Sequence, residues 1–166
     1  MHQRVMDYVE SIKAQYPDKF INSNVLEVWS QNINWWIRYL FKDCNYTGID
    51  LCERDWVDIV CDINKYYPNK VFDVVISCEM LEHDKQWKNS LLHMYRLTKK
   101  WWLMIITCAN INRPEHWTIN TTPEDSPATT DYYRNISTQD LIELFNWEWI
   151  VSEDENKQDT YFIIHK

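Results

Sequence analysis

Phe72-Asp73-Val74-Val75-Ile76-Ser77-Cys78-Glu79-Met80-Leu81-Glu82-His83 is the stretch on which the reading of this chain turns. Its first six residues form a near-continuous β-branched run, as expected of a strand covered on both faces. An acidic residue follows almost at once. On either side of it, shorter apolar runs at 24–28, 46–51 and 57–61 predict three earlier strands, and 103–108 predicts a later one. Helical spacing of Val5, Met6, Val9, Ile12 and Tyr16 predicts a helix over about 2–16, stopped by Pro17. Further helices are predicted through Ile37, Leu40 and Phe41, and through Trp87, Leu91, Met94, Tyr95 and Leu97. Short strands alternating with helices imply a doubly wound α/β sheet with right-handed crossovers.

After Cys108 the texture changes. Residues 109–136 are polar, carry Pro114, Pro123 and Pro127, and read as a long functional loop. Ser137 is a suitable N-cap for a helix containing Leu141 and Phe145. Two final strands, about 147–152 and 160–165, flank the acidic turn 153–156 and predict an antiparallel hairpin at the sheet edge. At 166 residues and 45% hydrophobic content, the chain reads as one folded domain.

The formal net charge is −8 and no lysine- or arginine-rich run occurs, which argues against bulk nucleic-acid binding. Five cysteines, an odd number without CxxC spacing, read as reduced thiols in a cytosolic protein. The N-terminus has no apolar signal-like run, and no apolar stretch approaches the ~20 residues of a membrane span. A soluble cytoplasmic protein is the expectation.

Ligands of open α/β sheets bind outside the carboxyl ends of the strands. Four acids fall at or just past such ends: Glu27, Asp50, Asp62 and Glu79. Asp50 follows Glu27 by 23 residues, close to the ~20-residue interval at which an acid meets ribose hydroxyls in dinucleotide folds. Asp73 opens its strand and reads as structural. Glu82-His83-Asp84 lacks the spacing of a metal site, and no metal is expected.

The order Val25-Leu26-Glu27-Val28, Tyr46-Thr47-Gly48-Ile49-Asp50-Leu51, Cys61-Asp62-Ile63, the stretch 72–83 and Leu103-Met104-Ile105-Ile106-Thr107 resembles class I S-adenosylmethionine-dependent methyltransferases. It is most similar to the type 11 group and covers about residues 20–110. The resemblance implies a Rossmann-like, mostly parallel, seven-stranded-type sheet with an antiparallel C-terminal hairpin. It divides the single domain (1–166) into an N-terminal helix (1–20), a cofactor-binding core (21–108), a substrate-side loop (109–136) and a C-terminal helix and hairpin (137–166). The implied cofactor is S-adenosyl-L-methionine. Glu27 and the following loop (Trp29, Ser30) would face its methionine part, and Asp50 with Leu51 its ribose. Asp62 and Ile63 would meet the adenine, and Cys78 and Glu79 the sulfonium side. His83 or His116 would serve as general base where the acceptor carries a proton to remove. Arg113–His116 and 131–133 read as substrate-side residues, and the implied partner is a small-molecule or nucleotide-like acceptor.

One departure runs through the chain. Gly48 is its single glycine, and it has ten tryptophans. Trp29, Trp35 and Trp36 stand where the family has a glycine-rich turn, which lets backbone N–H groups approach the cofactor. Trp101 and Trp102 replace a second turn, and Trp56 and Trp117 occupy turn-like contexts too. Returning these seven of the ten to glycine would leave three tryptophans and raise the single glycine to eight, about 5% of the chain against the usual ~7%. UGA means glycine in some genetic codes and tryptophan in others, so a gene of the first kind translated with the second yields this pattern. The alternative is an authentic methyltransferase-like binding or scaffold protein whose cofactor site is obstructed. A dehydrogenase is a third reading, disfavoured by Leu81-Glu82-His83 and by the terminal hairpin.

Overall fold

The computed structural model describes residues 2–31, 37–126, 128–129, 131–145 and 150–166. Trp35, Trp36, Trp147 and Trp149 lie outside the described residues. Seven strands form one sheet: β1 (Asn24–Val28), β2 (Asn45–Asp50), β3 (Ile59–Val60), β4 (Phe72–Cys78), β5 (Thr98–Ala109), β6 (Ile150–Glu153) and β7 (Asp159–His165). Their spatial order is β3-β2-β1-β4-β5-β7-β6. The first five run parallel, and β7 is antiparallel to both β5 and β6, as the terminal hairpin predicts.

Period-2 alternation divides the strand residues between two cores. Val25, Val74, Ile76, Leu103 and Ile105 face one side. There they pack on Val5, Met6, Val9 and Ile12 of α1 (Gln3–Gln15). Leu26, Val28, Val75, Met104 and Ile106 face the other, against α2 (Trp87–Leu97) and Leu141 of α3 (Thr138–Phe145). All seven residues of β4 are buried, because helices cover both of its faces. Ser137 caps α3 as expected: its Oγ accepts from the Asp140 N–H (3.1 Å), and Asp140 Oδ2 accepts from the Ser137 N–H (3.0 Å).

Two expectations change. The helix expected through Ile37, Leu40 and Phe41 is a single 3-10 turn, Arg38–Leu40, after which Phe41 is extended. The backbone beyond it pairs with the segment after α1 instead: Lys42 N–H donates to Phe20 O (2.8 Å) and Asn22 N–H to Lys42 O (3.0 Å). The apolar spacing there reflects burial of Ile37, Leu40 and Phe41 and not a helix face. β5 begins at Thr98 and not at Leu103. Its pairing with β4 jumps from Phe72↔Thr98 to Val74↔Leu103, so residues 99–102 form a bulge within the strand.

The sheet order reverses direction between β1 and β4, so the switch-point crevice opens above their carboxyl ends. The segment 109–136 returns to that end of the sheet. Arg134 N–H donates to Glu82 O, and Ile136 N–H to Ala109 O, both at 2.8 Å. No helix among the described residues is long and apolar enough to cross a membrane.

Candidate functional site

A cleft of about 240 Å³ lies over the ends of β1, β2 and β3. Its walls include Val28, Trp29, Ile49, Asp50, Leu51, Asp62, Ile63, Met80 and His83, with Tyr132 from the long loop. Asp50 ends β2 and is buried. Its Oδ1 accepts from the Leu51 N–H (2.6 Å) and its Oδ2 from the Gln31 N–H (3.1 Å). Burial raises its pKa, and these backbone donors offset only part of that rise. The Cys52 N–H also approaches the carboxylate, and the lone-pair direction that remains opens to the cleft, where a ligand hydroxyl could donate. Asp62 caps a 3-10 turn, accepting from the Asn64 N–H (2.9 Å), and Ile63 beside it is buried against the cleft.

Six of the residues expected at the site therefore share one cleft: Trp29, Asp50, Leu51, Asp62, Ile63 and His83. Glu27, Ser30, Cys78, Glu79 and His116 do not line it. Glu27 and Cys78 point to the α1 side of the sheet. The Glu27 carboxyl accepts from the Tyr46 hydroxyl (2.9 Å), and burial pushes its pKa up to about 8. Burial also pushes up the Cys78 thiol. Ser30 is buried against Gly48, where an added Cβ would lie 2.7 Å from the Ser30 Oγ.

Glu79, at φ 59°, turns into a buried ionic network. Its Oε1 accepts from the Thr107 hydroxyl (3.2 Å), while Oε2 faces His2 Nε2 (3.6 Å) and Arg113 Nη2 (3.8 Å). Asp159 of β7 joins through His2 (3.1 Å), Arg4 (2.9 Å) and Arg113 (3.2 Å). Burial would raise both acids, yet these cations hold Glu79 and Asp159 below the usual carboxylate range. Sequence reading missed His2 and Asp159. They meet across 157 positions of chain, with no local pattern to announce it.

Beyond the cleft wall His83 meets His116, their ring centroids 5.3 Å apart and nearly perpendicular. Trp29 lies parallel to His83 at 6.0 Å, and Tyr133 and Trp117 complete an aromatic box. His116 Nδ1 contacts Pro114 O at 3.0 Å, which assigns its proton to Nδ1 and leaves a lone pair on Nε2. Burial lowers both imidazoles, His83 to about 3, so both are neutral near pH 7. Glu82 is fully buried beside them. Burial, then the nearby Glu79 charge, pushes its pKa well up. The sequence singled out His83 and His116 separately, but nothing in it announces that a loop residue 33 positions on would face Glu82.

Trp29, Trp56, Trp101 and Trp117 all adopt left-handed backbone conformations, with φ of 73°, 75°, 71° and 49°. Glycine enters this region without the Cβ penalty that other residues meet. Trp102 is not in this region and carries no such penalty.

No protein-family model matches the sequence, and no curated protein matches it. Solved structures do match in fold. The 1,6-didemethyltoxoflavin-N1-methyltransferase of Burkholderia thailandensis, with 1,6-didemethyltoxoflavin and S-adenosylhomocysteine bound, superposes at a TM-score of 0.63 and 12% identity, covering 97% of this chain and 89% of that one. The DhpI–SAH complex gives 0.64 at 17% identity, with 96% and 85% covered. Magnesium protoporphyrin IX methyltransferase of Synechocystis PCC 6803, with bound SAM, gives 0.61 at 10% identity, with 95% and 77% covered. With its reversed sheet order and antiparallel terminal hairpin, the chain has the class I S-adenosylmethionine-dependent methyltransferase fold.

Proposed function

We propose that this chain is an S-adenosylmethionine-dependent methyltransferase acting on a small-molecule or nucleotide-like acceptor. The observation that carries this reading is the pairing of Asp50 and Asp62 in one cleft at the switch point of this fold. The bound cofactor would supply an electrophilic sulfonium methyl. Asp50 would accept from the ribose hydroxyls, and Asp62 from the adenine amino group. Val28, Ile49, Ile63 and Met80 give the base an apolar bed. The core 21–108 holds the cofactor, and the segment 109–136 faces the acceptor. Where the acceptor carries a proton to remove, His83 at the cleft wall, or His116 behind it, would serve as the base. The rest of the contribution is positioning in a dry site. The five free thiols suit the reducing cytoplasm.

Trp29 supports a second reading, a methyltransferase-like binding protein with an obstructed site. Its indole stands in the cleft wall at a left-handed turn. Calorimetry with S-adenosylhomocysteine separates the two. Binding only once Trp29→Gly has opened the turn supports the enzyme reading, with glycine as the native residue there, and Asp50→Ala in that background should weaken it at least ~10-fold through loss of the charged hydrogen bonds. Tight binding by the chain as written would show that the Trp29 indole does not obstruct the turn. Absence of binding in both the parent and the glycine variant would overturn the cofactor assignment.

A further inference from the structure

We infer that Glu82, His83 and His116 form a binding site for one divalent transition-metal ion. One ligand atom from each, an oxygen and two imidazole nitrogens, lies within 4.8 Å of the other two. Ligands about 2.1 Å from a tetrahedral ion stand about 3.4 Å apart. Glu82 Oε1 and His116 Nε2 are already at 3.7 Å, so small side-chain adjustments complete the set.

The second observation is chemical. Glu82 and His83 are 0% and 6% exposed, and no hydrogen bond of good geometry reaches either oxygen of Glu82 or either ring nitrogen of His83. Only weaker backbone contacts approach them, from Glu82 and Ala109 to the carboxyl and from the Tyr132 backbone to the imidazole. His116 Nε2 is also unpartnered. Buried polar atoms left this way cost about 1–3 kcal/mol each, so native structures rarely keep five together. A proton shared between Glu82 Oε1 and His116 Nε2 would satisfy two of the five and leave three. A cation takes one lone pair from each residue, and its remaining positions hold water that can donate to the other oxygen of Glu82.

The outer contact fits as well. His116 donates through Nδ1 to the Pro114 carbonyl (3.0 Å), the arrangement that fixes a metal-binding imidazole with its other nitrogen toward the ion. Two imidazoles and one carboxylate select the zinc, cobalt, iron or manganese class over Mg²⁺ or Ca²⁺, which prefer all-oxygen shells. His83 also lines the cleft, so the ion would sit at its wall on the side of the loop 109–136, and with the ion bound His83 and His116 would hold it in place of acting as general base. The other such cluster among the described residues, His2, Glu79 and Asp159, already holds the cations Arg4 and Arg113, and Glu79 Oε2 is its one buried oxygen without a hydrogen bond.

The test uses the full chain, stripped with a chelator and titrated with Zn²⁺ or Co²⁺ alone. Binding is followed by calorimetry and by the ligand-field absorbance of Co²⁺. One equivalent should bind, with Mg²⁺ failing to compete. His116→Ala, on a half-buried loop, should weaken binding at least ~10-fold. Glu82→Gln should do the same, and His165→Ala, on the far strand, should not. No stoichiometric binding by the parent, or unchanged binding in His116→Ala, would overturn the site. S-adenosylhomocysteine titrated into the same metal-free sample reports separately on the methyltransferase reading, so either can fail while the other stands.

Discussion

Trp101 offers the cleanest measurement of what an indole costs at a left-handed turn. Its φ is 71°, its side chain is 72% exposed, and Lys100 sits over its ring at 5.0 Å. The informative perturbation is a pair, Trp101→Ala and Trp101→Gly, because both remove the indole and differ only in Cβ. Left-handed backbone costs an L-residue about 1–2 kcal/mol. Glycine gives back about 0.4–1 kcal/mol through the greater entropy of its unfolded chain. The glycine variant should therefore be the more stable by roughly 0.5–1 kcal/mol. The same pair at Trp102, next in the bulge but without positive φ, should invert the order, alanine leading by about 0.4–1 kcal/mol. The unfolded-state term cancels in the difference between sites, leaving the conformational cost itself, about 1–2 kcal/mol. Equilibrium urea denaturation resolves this, and in Tm it corresponds to about 2–8 °C for a chain of this size. The same order at both sites would rule out a conformational cost specific to Trp101.

Other outcomes follow from particular contacts. In Gly48→Ala the new Cβ would meet Ser30 Oγ and the Trp56 carbonyl, each at 2.7 Å, and should cost about 1–3 kcal/mol in thermal denaturation. An unchanged Tm would show that the strand yields freely there. Glu27, pushed by burial from 4.5 to about 8, binds a proton in the folded state that the unfolded chain has released. Stability should thus fall as pH rises from about 4.5 to about 8, by up to about 1.4 kcal/mol per unit, and Glu27→Gln should remove that slope. Asp73 accepts from the Asn24 backbone and side chain (2.8 and 2.9 Å) and from Lys99 (3.1 Å). Burial alone would raise it, but these donors hold it below its ordinary value of 3.8. Its stabilisation is present above that value and lost as pH falls through the folded pKa. Asp73→Ala should cost about 1–3 kcal/mol at pH 7, with the deficit shrinking in denaturation curves taken below about pH 4.

What the sequence made legible was whatever repeats at short range. The fully buried β4, the alternation along β1 and β5, and the α1 stripe each carry a period, and each appears in the fold. Asp50 and Asp62 were legible because their place at strand ends fixes which side of the sheet they reach. Glu27 shows the limit of that rule. The pleat turned it to the α1 side, where Tyr46 holds it. Residues 37–41 carried a helical spacing that tertiary pairing through Lys42 overrode. The unpartnered cluster was illegible for another reason. Its members come from the turn after β4 and from a loop without periodicity, so only the folded chain brings His116 to Glu82.

The four left-handed tryptophans also bear on how the chain came to be written this way. They sit in separate turns, so their costs add, to roughly 4–8 kcal/mol. That is comparable with the whole stability of an ordinary domain, about 5–15 kcal/mol. A binding protein drifting from an enzymatic ancestor would spend that energy for nothing at Trp56 and Trp101, neither of which lines the cleft. It would also have no reason to keep Asp50 and Asp62 buried at the switch point. Glycine codons read as tryptophan account for both facts, since such an error ignores function and falls wherever glycine was needed. The prediction is specific by position: UGA at Trp29, Trp56, Trp101 and Trp117, and UGG at Trp87, which is buried in α2. The nucleotide sequence checks it directly, and the mass of the native protein does so independently. UGG at the four turn positions would make the tryptophans authentic and Trp29 an obstruction in the cleft wall.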